Sequence, residues 1–218
     1  MLTRAVFLDR DGVINPYISH PEFGTVDSPA RASDFSLCPG VGEAINRLNR
    51  LGLLVVVVSN QPGIAKRKFT LSHLNAITTK MSASVRSMGG KIDAVYYCRH
   101  HPDSLLPFYR KVCECRKPKP GLLLMAASDC NIDITGSYTV GDGVTDILAG
   151  AAVGTTTILV SARKCYVCDE LARHSAKPDF IVRDLGEASE VIYSLETGDV
   201  AAAEKYIFND GCLASKVQ

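Results

Sequence analysis

The sequence predicts an α/β protein with a doubly wound, mainly parallel sheet and helices on both of its faces. Six short apolar, β-prone runs recur along the 218 residues. Runs that are apolar throughout are typical of strands buried on both faces, and helical stretches lie between them. Strand alternating with helix indicates a doubly wound sheet. The predicted strands are AVFL (5–8), LLVVVVS (53–59), DAVYY (93–97), SYTVGD (137–142), TTTILV (155–160) and DFIV (179–182).

Helices are predicted between these strands. Along 70–88, apolar residues step by three or four positions, which places them on one face of a helix. Thr70 is suited to the N-cap of this helix, and Gly89 and Gly90 are suited to its end. The apolar face comprises Leu71, Leu74, Ile77, Met81, Val85 and Met88. The other predicted helices span 40–52, 120–130 and 145–153.

Composition limits the classes of function. The net charge is +1 and the pI is near 7.6, which gives no support for a broad nucleic-acid or membrane-binding surface. The first apolar run is too short for a signal peptide and no run approaches a membrane span, so we expect a cytoplasmic protein. We expect a monomer with one domain over 1–195 and a C-terminal extension over 196–218.

Acidic residues follow two of the predicted strands. Asp9 and Asp11 end the first strand in VFLDRDGVIN (6–15), and Asp142 ends the fourth, with Asp146 one helical turn later. Each could simply be a polar turn or a helix cap. However, the carboxyl ends of parallel strands meet at one edge of the sheet, where ligands bind. Carboxylates gathered there suit Mg²⁺.

Two further stretches supply groups that can hold phosphate. VVVVSNQPGIA (55–65) ends a strand in Ser59, where a hydroxyl and nearby backbone N–H groups can cradle an anion. The alternative is an ordinary turn. CECRKPKPG (113–121) provides Arg116, Lys117 and Lys119. A cation among carboxylates can hold a phosphoryl group, whereas Lys119 fits a solvated loop better.

These blocks, in this order, resemble the haloacid dehalogenase superfamily, whose enzymes mostly transfer phosphoryl groups. The resemblance extends to about residue 185. It implies a Mg²⁺-dependent phosphomonoester hydrolase with a minimal cap. Asp9 is implied as the nucleophile that becomes an aspartyl-phosphate, and Asp11 as the general acid and base. Mg²⁺ is implied to bind Asp9, Asp142 and Asp11, the last through its backbone carbonyl.

The resemblance also implies the residues that contact substrate. Ser59, Asn60 and Gln61 are implied to bind the phosphate, and Lys117 to neutralise developing charge. Arg116 is implied to hold the far end of the substrate. With no room for a large cap, the loops at 16–38, 62–69 and 98–115 are expected to form the substrate mouth. Lys66, Arg67 and Lys68 lie in the second of these loops.

A cysteine-rich loop predicts a structural zinc site. Of eight cysteines in the chain, three crowd into CRHHPDSLLPFYRKVCEC (98–115) beside two histidines. Cys98, His100, Cys113 and Cys115 form a Cys₃His set suited to tetrahedral zinc. His101 could take the place of His100, although the resemblance favours His100. Buried free cysteines are the weaker alternative.

The zinc loop narrows the resemblance. YYCRHHP (96–102) and CECRKPKPG (113–121) are similar to the subgroup of D-glycero-D-manno-heptose 1,7-bisphosphate phosphatases and histidinol phosphatases. This implies a small phosphorylated sugar as substrate, with removal of its 7-phosphate. Histidinol phosphate or another small sugar phosphate is the alternative. Gly143 stands where the subgroup commonly has lysine, which affects the expected substrate.

Two rival functions fit the sequence less well, and one further cysteine motif has no clear role. A degenerate phosphate-binding module would be expected to lose at least one motif residue, and a DNA 3′-phosphatase would be expected to carry more positive charge. Cys165 and Cys168 are spaced as a redox or metal pair. They lack the partners that either role needs, so we expect surface or half-buried thiols in a strand-to-helix loop.

Overall fold

A computed structural model describes residues 2–161, 165–199 and 201–208 of the chain. Eight strands are present in these residues, and six of them form one parallel sheet. The strands are β1 (Ala5–Leu8), β2 (Ile18–His20), β3 (Thr25–Asp27), β4 (Leu54–Asn60), β5 (Ala94–Cys98), β6 (Tyr138–Gly141), β7 (Thr156–Val160) and β8 (Phe180–Val182). The sheet has the order β5-β4-β1-β6-β7-β8.

The helices connect these strands. They are α1 (Val41–Arg50), α2 (Leu71–Ser87), α3 (Gly121–Asp129), α4 (Val144–Ala151), α5 (Cys165–Arg173), α6 (Leu185–Thr197) and α7 (Ala201–Glu204). The four predicted helices correspond to α1–α4. As expected, α2 begins after Thr70, whose hydroxyl accepts a hydrogen bond from the His73 N–H.

Alternation along the strands places helices on both faces of the sheet. In β1, Val6 and Leu8 join the core formed with α1, α2 and α6. Ala5 and Phe7 point to the other face and pack with α3 and α4. Successive strand residues point to opposite faces, so a continuously apolar strand can serve both layers. The predicted fold class is confirmed.

The structure corrects several details. The strand predicted at 93–97 is an edge strand, β5, and most of it is half-buried rather than buried on both faces. The long loop at 16–38 contains the antiparallel hairpin β2–β3. Two helices, α5 and α6, were not predicted, and the short α7 lies in the stretch expected to be a C-terminal extension. Cys165 and Cys168 lie in α5, not in a loop, but their side chains lie outside the described residues, so their exposure stays a prediction.

The chain after β8 packs back on the sheet. The boundary expected at residue 195 falls inside α6, which continues to Thr197. Beyond α7, the Ile181 N–H donates to the Tyr206 carbonyl at 2.8 Å, and Ile207 forms an antiparallel bridge with Phe180. This segment therefore covers the exposed edge of β8. The division into a domain and an extension stays a prediction.

Candidate active site at the carboxyl edge of the sheet

The predicted site residues meet where the three central strands end. Asp9 directly follows β1, Ser59 is the next-to-last residue of β4, and Asp142 directly follows β6. The Asp9 N–H donates to the Val140 carbonyl of β6 at 2.9 Å, which extends the β1–β6 ladder by one residue and fixes the position of Asp9. Neighbouring strands in the order β4-β1-β6 thus bring all three motifs to one edge.

Three carboxylates form a cluster at this edge. Oxygens of Asp9, Asp142 and Asp146 all lie within 4.8 Å of one another. Asp146 is in the first turn of α4, where its Oδ2 accepts a hydrogen bond from the Gly143 N–H at 3.1 Å. Because the helix begins immediately after the strand, one turn carries Asp146 back over Asp142. The all-oxygen donor set fits Mg²⁺, which prefers carboxylates and water.

The carboxylate of Asp11 lies outside this cluster. Residues i and i+2 share a side only while the strand continues, but β1 ends at Leu8. Gly12, with φ +83°, then turns the chain. Asp146 joins Asp9 and Asp142 in the cluster, whereas the contact of Mg²⁺ with the Asp11 backbone carbonyl stays a prediction. The spacing of Asp146, one turn after Asp142, was the available signal.

Lys117 is the cation of the cluster. Its Nζ lies 3.0 Å from Asp9 Oδ1, is ion-paired with Asp146 and donates to the Val58 carbonyl at 2.7 Å. The Asn60 side-chain amide bonds twice to the backbone of Lys117. Its Nδ2 donates to the Lys117 carbonyl at 3.0 Å, and its Oδ1 accepts from the Lys117 N–H at 3.1 Å. The Asn60 side chain therefore fixes Lys117 in place, and its contact with phosphate stays a prediction.

Burial and charge act in opposite directions on this cluster. Burial of Lys117 lowers its pKa, but the neighbouring Asp146 and Asp9 outweigh burial and raise the pKa above its usual value. Asp146 is also buried, and burial together with the charges of Asp9 and Asp142 raises its pKa despite the opposing effect of Lys117. Three carboxylates around one lysine leave an excess of negative charge that suits a divalent cation.

Asp11 is held by a separate network of side chains. Its carboxylate accepts hydrogen bonds from Arg10, Asn15, Ser28 and Gln61 at 2.7–3.1 Å. Arg10 is completely buried. The predicted phosphate-binding residue Gln61 is 1% exposed, and its Nε2 donates both to Asp11 and, at 3.1 Å, to Ser59. The Gln61 side chain therefore links two parts of the site.

Tyr17 was missed by sequence reasoning. Its hydroxyl lies 3.4 Å from Asp142 Oδ1, and its ring lies close to Gly12. Burial, followed by the charges of Asp142 and Asp9, raises the pKa of the phenol, so Tyr17 stays protonated. Tyrosine in a loop without periodicity gives no signal of such a contact.

The four predicted zinc ligands lie together. Distances between their sulfur and Nδ1 atoms are 3.3–3.8 Å for Cys98, His100, Cys113 and Cys115. Tetrahedral bonds of about 2.3 Å place sulfur atoms about 3.8 Å apart, so the cluster fits one zinc ion. His101 instead accepts a hydrogen bond from the Asp103 N–H. This geometry favours His100 of the two alternatives.

Several basic residues lie in or next to the loops expected to form the substrate mouth. Arg116 donates to the His100 carbonyl at 3.3 Å, so the zinc loop orients it. Burial, followed by the charges of Lys66 and Arg116, lowers the pKa of His101. Lys68 is instead paired with Asp27 of the hairpin. A groove of about 490 Å³ beside them is lined by Arg31, Ile64, Arg67, Phe69 and Leu106, among others.

Comparisons with known proteins identify relatives of this chain. The HAD-hydrolase-like family model matches residues 114–188. The D-glycero-beta-D-manno-heptose-1,7-bisphosphate 7-phosphatase of Escherichia coli (strain K12) is 40% identical over 189 residues, which cover 86% of this chain and 93% of that protein. The enzyme of the same name from Salmonella typhi is 36% identical, with 94% of that protein covered.

Solved structures give the same result. The D,D-heptose 1,7-bisphosphate phosphatase of B. bronchiseptica, complexed with magnesium and phosphate, is 31% identical with a TM-score of 0.72, over 88% of this chain and 99% of that one. The chain is therefore a haloacid dehalogenase-like phosphatase. Within that class, it belongs to the family of D-glycero-beta-D-manno-heptose-1,7-bisphosphate 7-phosphatases.

Two earlier expectations bear on this assignment. Membership in this family argues against a degenerate phosphate-binding module, because the relatives are phosphatases. In the part of the chain that the structure describes, every helix is too short or too polar to cross a bilayer. The monomeric state and the cytoplasmic location stay predictions.

Proposed function

We propose that this chain is a Mg²⁺-dependent phosphatase that removes the 7-phosphate of D-glycero-D-manno-heptose 1,7-bisphosphate. The observation that carries the proposal is the contact of Lys117 with Asp9 beside two further carboxylates. A nucleophilic carboxylate at a strand end, next to a buried cation and a fitting metal site, is suited to phosphoryl transfer. The similarity to named heptose phosphatases supports the substrate.

In this proposal Asp9 attacks phosphorus and Asp11 transfers protons. A bond forms between an Asp9 oxygen and phosphorus while the bond to the leaving sugar oxygen breaks, and Asp11 gives that oxygen its proton. Water then attacks the aspartyl-phosphate, Asp11 takes the proton from the water, and the Asp9–phosphorus bond breaks. Lys117 stabilises the charge on the transferring phosphoryl group, and the Ser59 hydroxyl is available to donate to one of its oxygens.

The carboxylates of Asp9, Asp142 and Asp146, with the Asp11 backbone carbonyl, are the proposed Mg²⁺ ligands. The ion supplies positive charge that offsets repulsion between the nucleophile and the phosphate. Cys98, His100, Cys113 and Cys115 are proposed to bind a structural zinc ion. That ion would hold the loop from which Arg116 and Lys117 extend, so it contributes to catalysis only through the shape of the site.

A covalent intermediate on Asp9 gives the first test. We expect Asp9→Asn to lower the rate of phosphate release by at least about 10²-fold, because the amide is a much weaker nucleophile than the carboxylate. The matched control is Asp129→Asn, which changes an exposed carboxylate bonded only to Tyr96. Acid-quenched wild-type protein should carry phosphate on Asp9. Near-normal turnover by Asp9→Asn would refute the covalent mechanism.

The second phosphate of the substrate gives the test of specificity. Arg116 is held by the His100 carbonyl, and the charges of Arg116 and Lys66 both act on His101. An arginine can hold phosphate with two hydrogen bonds. Arg116→Ala should therefore lower kcat/KM for sugar bisphosphates. This loss should be at least about ten times larger than the loss for the matching monophosphates. Lys119→Ala removes an exposed lysine paired with Glu114 and serves as the control. A higher kcat/KM for histidinol phosphate than for heptose bisphosphate would refute the proposed substrate.

A further inference from the structure

The carboxylate of Asp11 is held more completely than a solvent-facing acid requires. Arg10 contacts both of its oxygens, with Nη2 at 3.0 Å from Oδ1 and 3.1 Å from Oδ2. Asn15 donates to Oδ1 at 2.9 Å, whereas Ser28 and Gln61 donate to Oδ2 at 2.8 and 2.7 Å. Donors on both oxygens restrict rotation of the carboxylate about its last side-chain bond.

Arg10 is placed where a charge is costly to bury. It is 0% exposed, and its guanidinium lies 5.6 Å from the centre of the Tyr97 ring. Removing a guanidinium from water costs several kcal/mol, which a partner recovers only when the geometry is good. The two-pronged contact with Asp11 provides that geometry. The cost of burial is therefore linked to one orientation of the Asp11 side chain.

Gln61 connects this pair with the phosphate side of the site. Its Oε1 accepts from Arg10 Nη2 at 2.9 Å, and its Nε2 donates to Asp11 and to Ser59. One buried amide thus sets Asp11, at the end of β1, at a fixed distance from Ser59 in β4. A methionine at position 61 would fill similar space without any of these hydrogen bonds.

We propose that Arg10 and Gln61 are positioning residues, which hold the Asp11 carboxylate in line with the leaving oxygen of the substrate. The proposal rests on the assignment of Asp11 as general acid and base. Proton transfer needs heavy atoms about 2.6–3.2 Å apart, and a misplacement of about 1 Å can cost about 10²-fold in rate. Arg10 and Gln61 themselves neither gain nor lose a proton during the reaction.

The test compares two leaving groups. An alkyl phosphate, such as a sugar phosphate, needs a proton on its leaving oxygen, whereas p-nitrophenolate leaves readily without one. Hydrolysis of the aspartyl-phosphate is common to both substrates, so the comparison uses kcat/KM, which reports the steps up to release of the leaving group. Gln61→Met should lower kcat/KM by about 10²-fold on the sugar phosphate and by less than about fivefold on p-nitrophenyl phosphate. Asp11→Asn should show the same selectivity more strongly. Arg10→Lys, which keeps the charge but not the two-pronged contact, should show it too.

A matched control separates positioning from loss of stability. Thr139→Val removes a buried hydrogen bond to Thr155 in the core of the same sheet, so it should affect both substrates equally. Equal losses on both substrates for Gln61→Met, or no loss on either, would overturn the proposal. If Gln61→Met does not fold, Ser28→Ala at a half-buried position and Arg10→Lys provide the same comparison.

The outcome also distinguishes this inference from the proposed function. If Asp9→Asn keeps its activity on both substrates, the proposed mechanism fails. If Asp9→Asn is inactive while Gln61→Met has an unchanged ratio between the two substrates, only the positioning role fails.

Discussion

Replacing Lys117 by methionine should destabilise the Mg²⁺-free protein strongly. The lysine is 3% exposed, and its Nζ contacts Asp9, Asp146 and the Val58 carbonyl. Methionine matches its length without its charge. Two buried carboxylates would then lose the cation that contacts both of them, while Asp142 stays close by.

The size of the effect follows from the geometry. Two unit charges 3.0 Å apart, as in the pair with Asp9, attract each other by about 5–6 kcal/mol at an effective dielectric constant of about 20. Part of this attraction only offsets the cost of burying the lysine. Removing one partner of a buried pair typically costs about 3–5 kcal/mol. For a chain of this size, that corresponds to a fall in Tm of about 6–20 °C.

Thermal unfolding without and with added Mg²⁺, in buffer free of chelators, measures this effect. Mg²⁺ should raise the Tm of Lys117→Met more than that of the wild type, because the ion supplies charge that the lysine no longer provides. Lys119→Met is the control, since its surface pair with Glu114 contributes at most about 1 kcal/mol. If both variants unfold within about 3 °C of the wild type, the lysine does not balance the cluster.

Two further predictions concern the metal sites. A Cβ at Gly12 would lie 2.1 Å from Asp142 Oδ2, so Gly12→Ala should weaken Mg²⁺ activation of phosphate release, as measured by metal titration. Gly24 is the control: it also has a positive φ, but a Cβ there would have no atom within 4 Å. Gly24→Ala should therefore only lower the stability, by about 1–2 kcal/mol. Equal Mg²⁺ dependence of the two variants would contradict the steric argument. Purified protein should contain one zinc per chain by metal analysis, and Cys113→Ser should lower both that content and the Tm. Wild-type protein without zinc would refute the site.

Much of the fold could be predicted because the sheet is buried on both faces. Continuous apolar runs such as the one that forms β4 fit few structures other than a buried strand. The helix after Thr70 is marked by its own N-cap residue. The unpredicted α6 also had local signals, since Asp184 caps it and Gly198 ends it in the left-handed conformation. The hairpin β2–β3 had weaker local signals, because its three-residue strands contain no buried residue and show no clear periodicity.

The candidate site was predictable at the level of strand ends but not of side-chain direction. Parallel strands bring Asp9, Ser59 and Asp142 to one edge whatever the rotamers are. The direction of the Gln61 amide depends on Arg10, which reaches it only after β1 and β4 pair. Such a contact joins residues about fifty positions apart, and no spacing rule reports it.

The two aspartates after β1 show how one short motif can supply two different groups. Repulsion between neighbouring carboxylates is reduced here by giving each its own cation: Lys117 contacts Asp9, and Arg10 contacts Asp11. The lysine is a compact charge that leaves an Asp9 oxygen accessible to a reacting phosphorus. The arginine grips both oxygens of its partner and restricts its rotation. A nucleophile needs freedom to form a bond, whereas a proton carrier needs a fixed direction, so the difference between the two cations matches the difference between the two proposed roles.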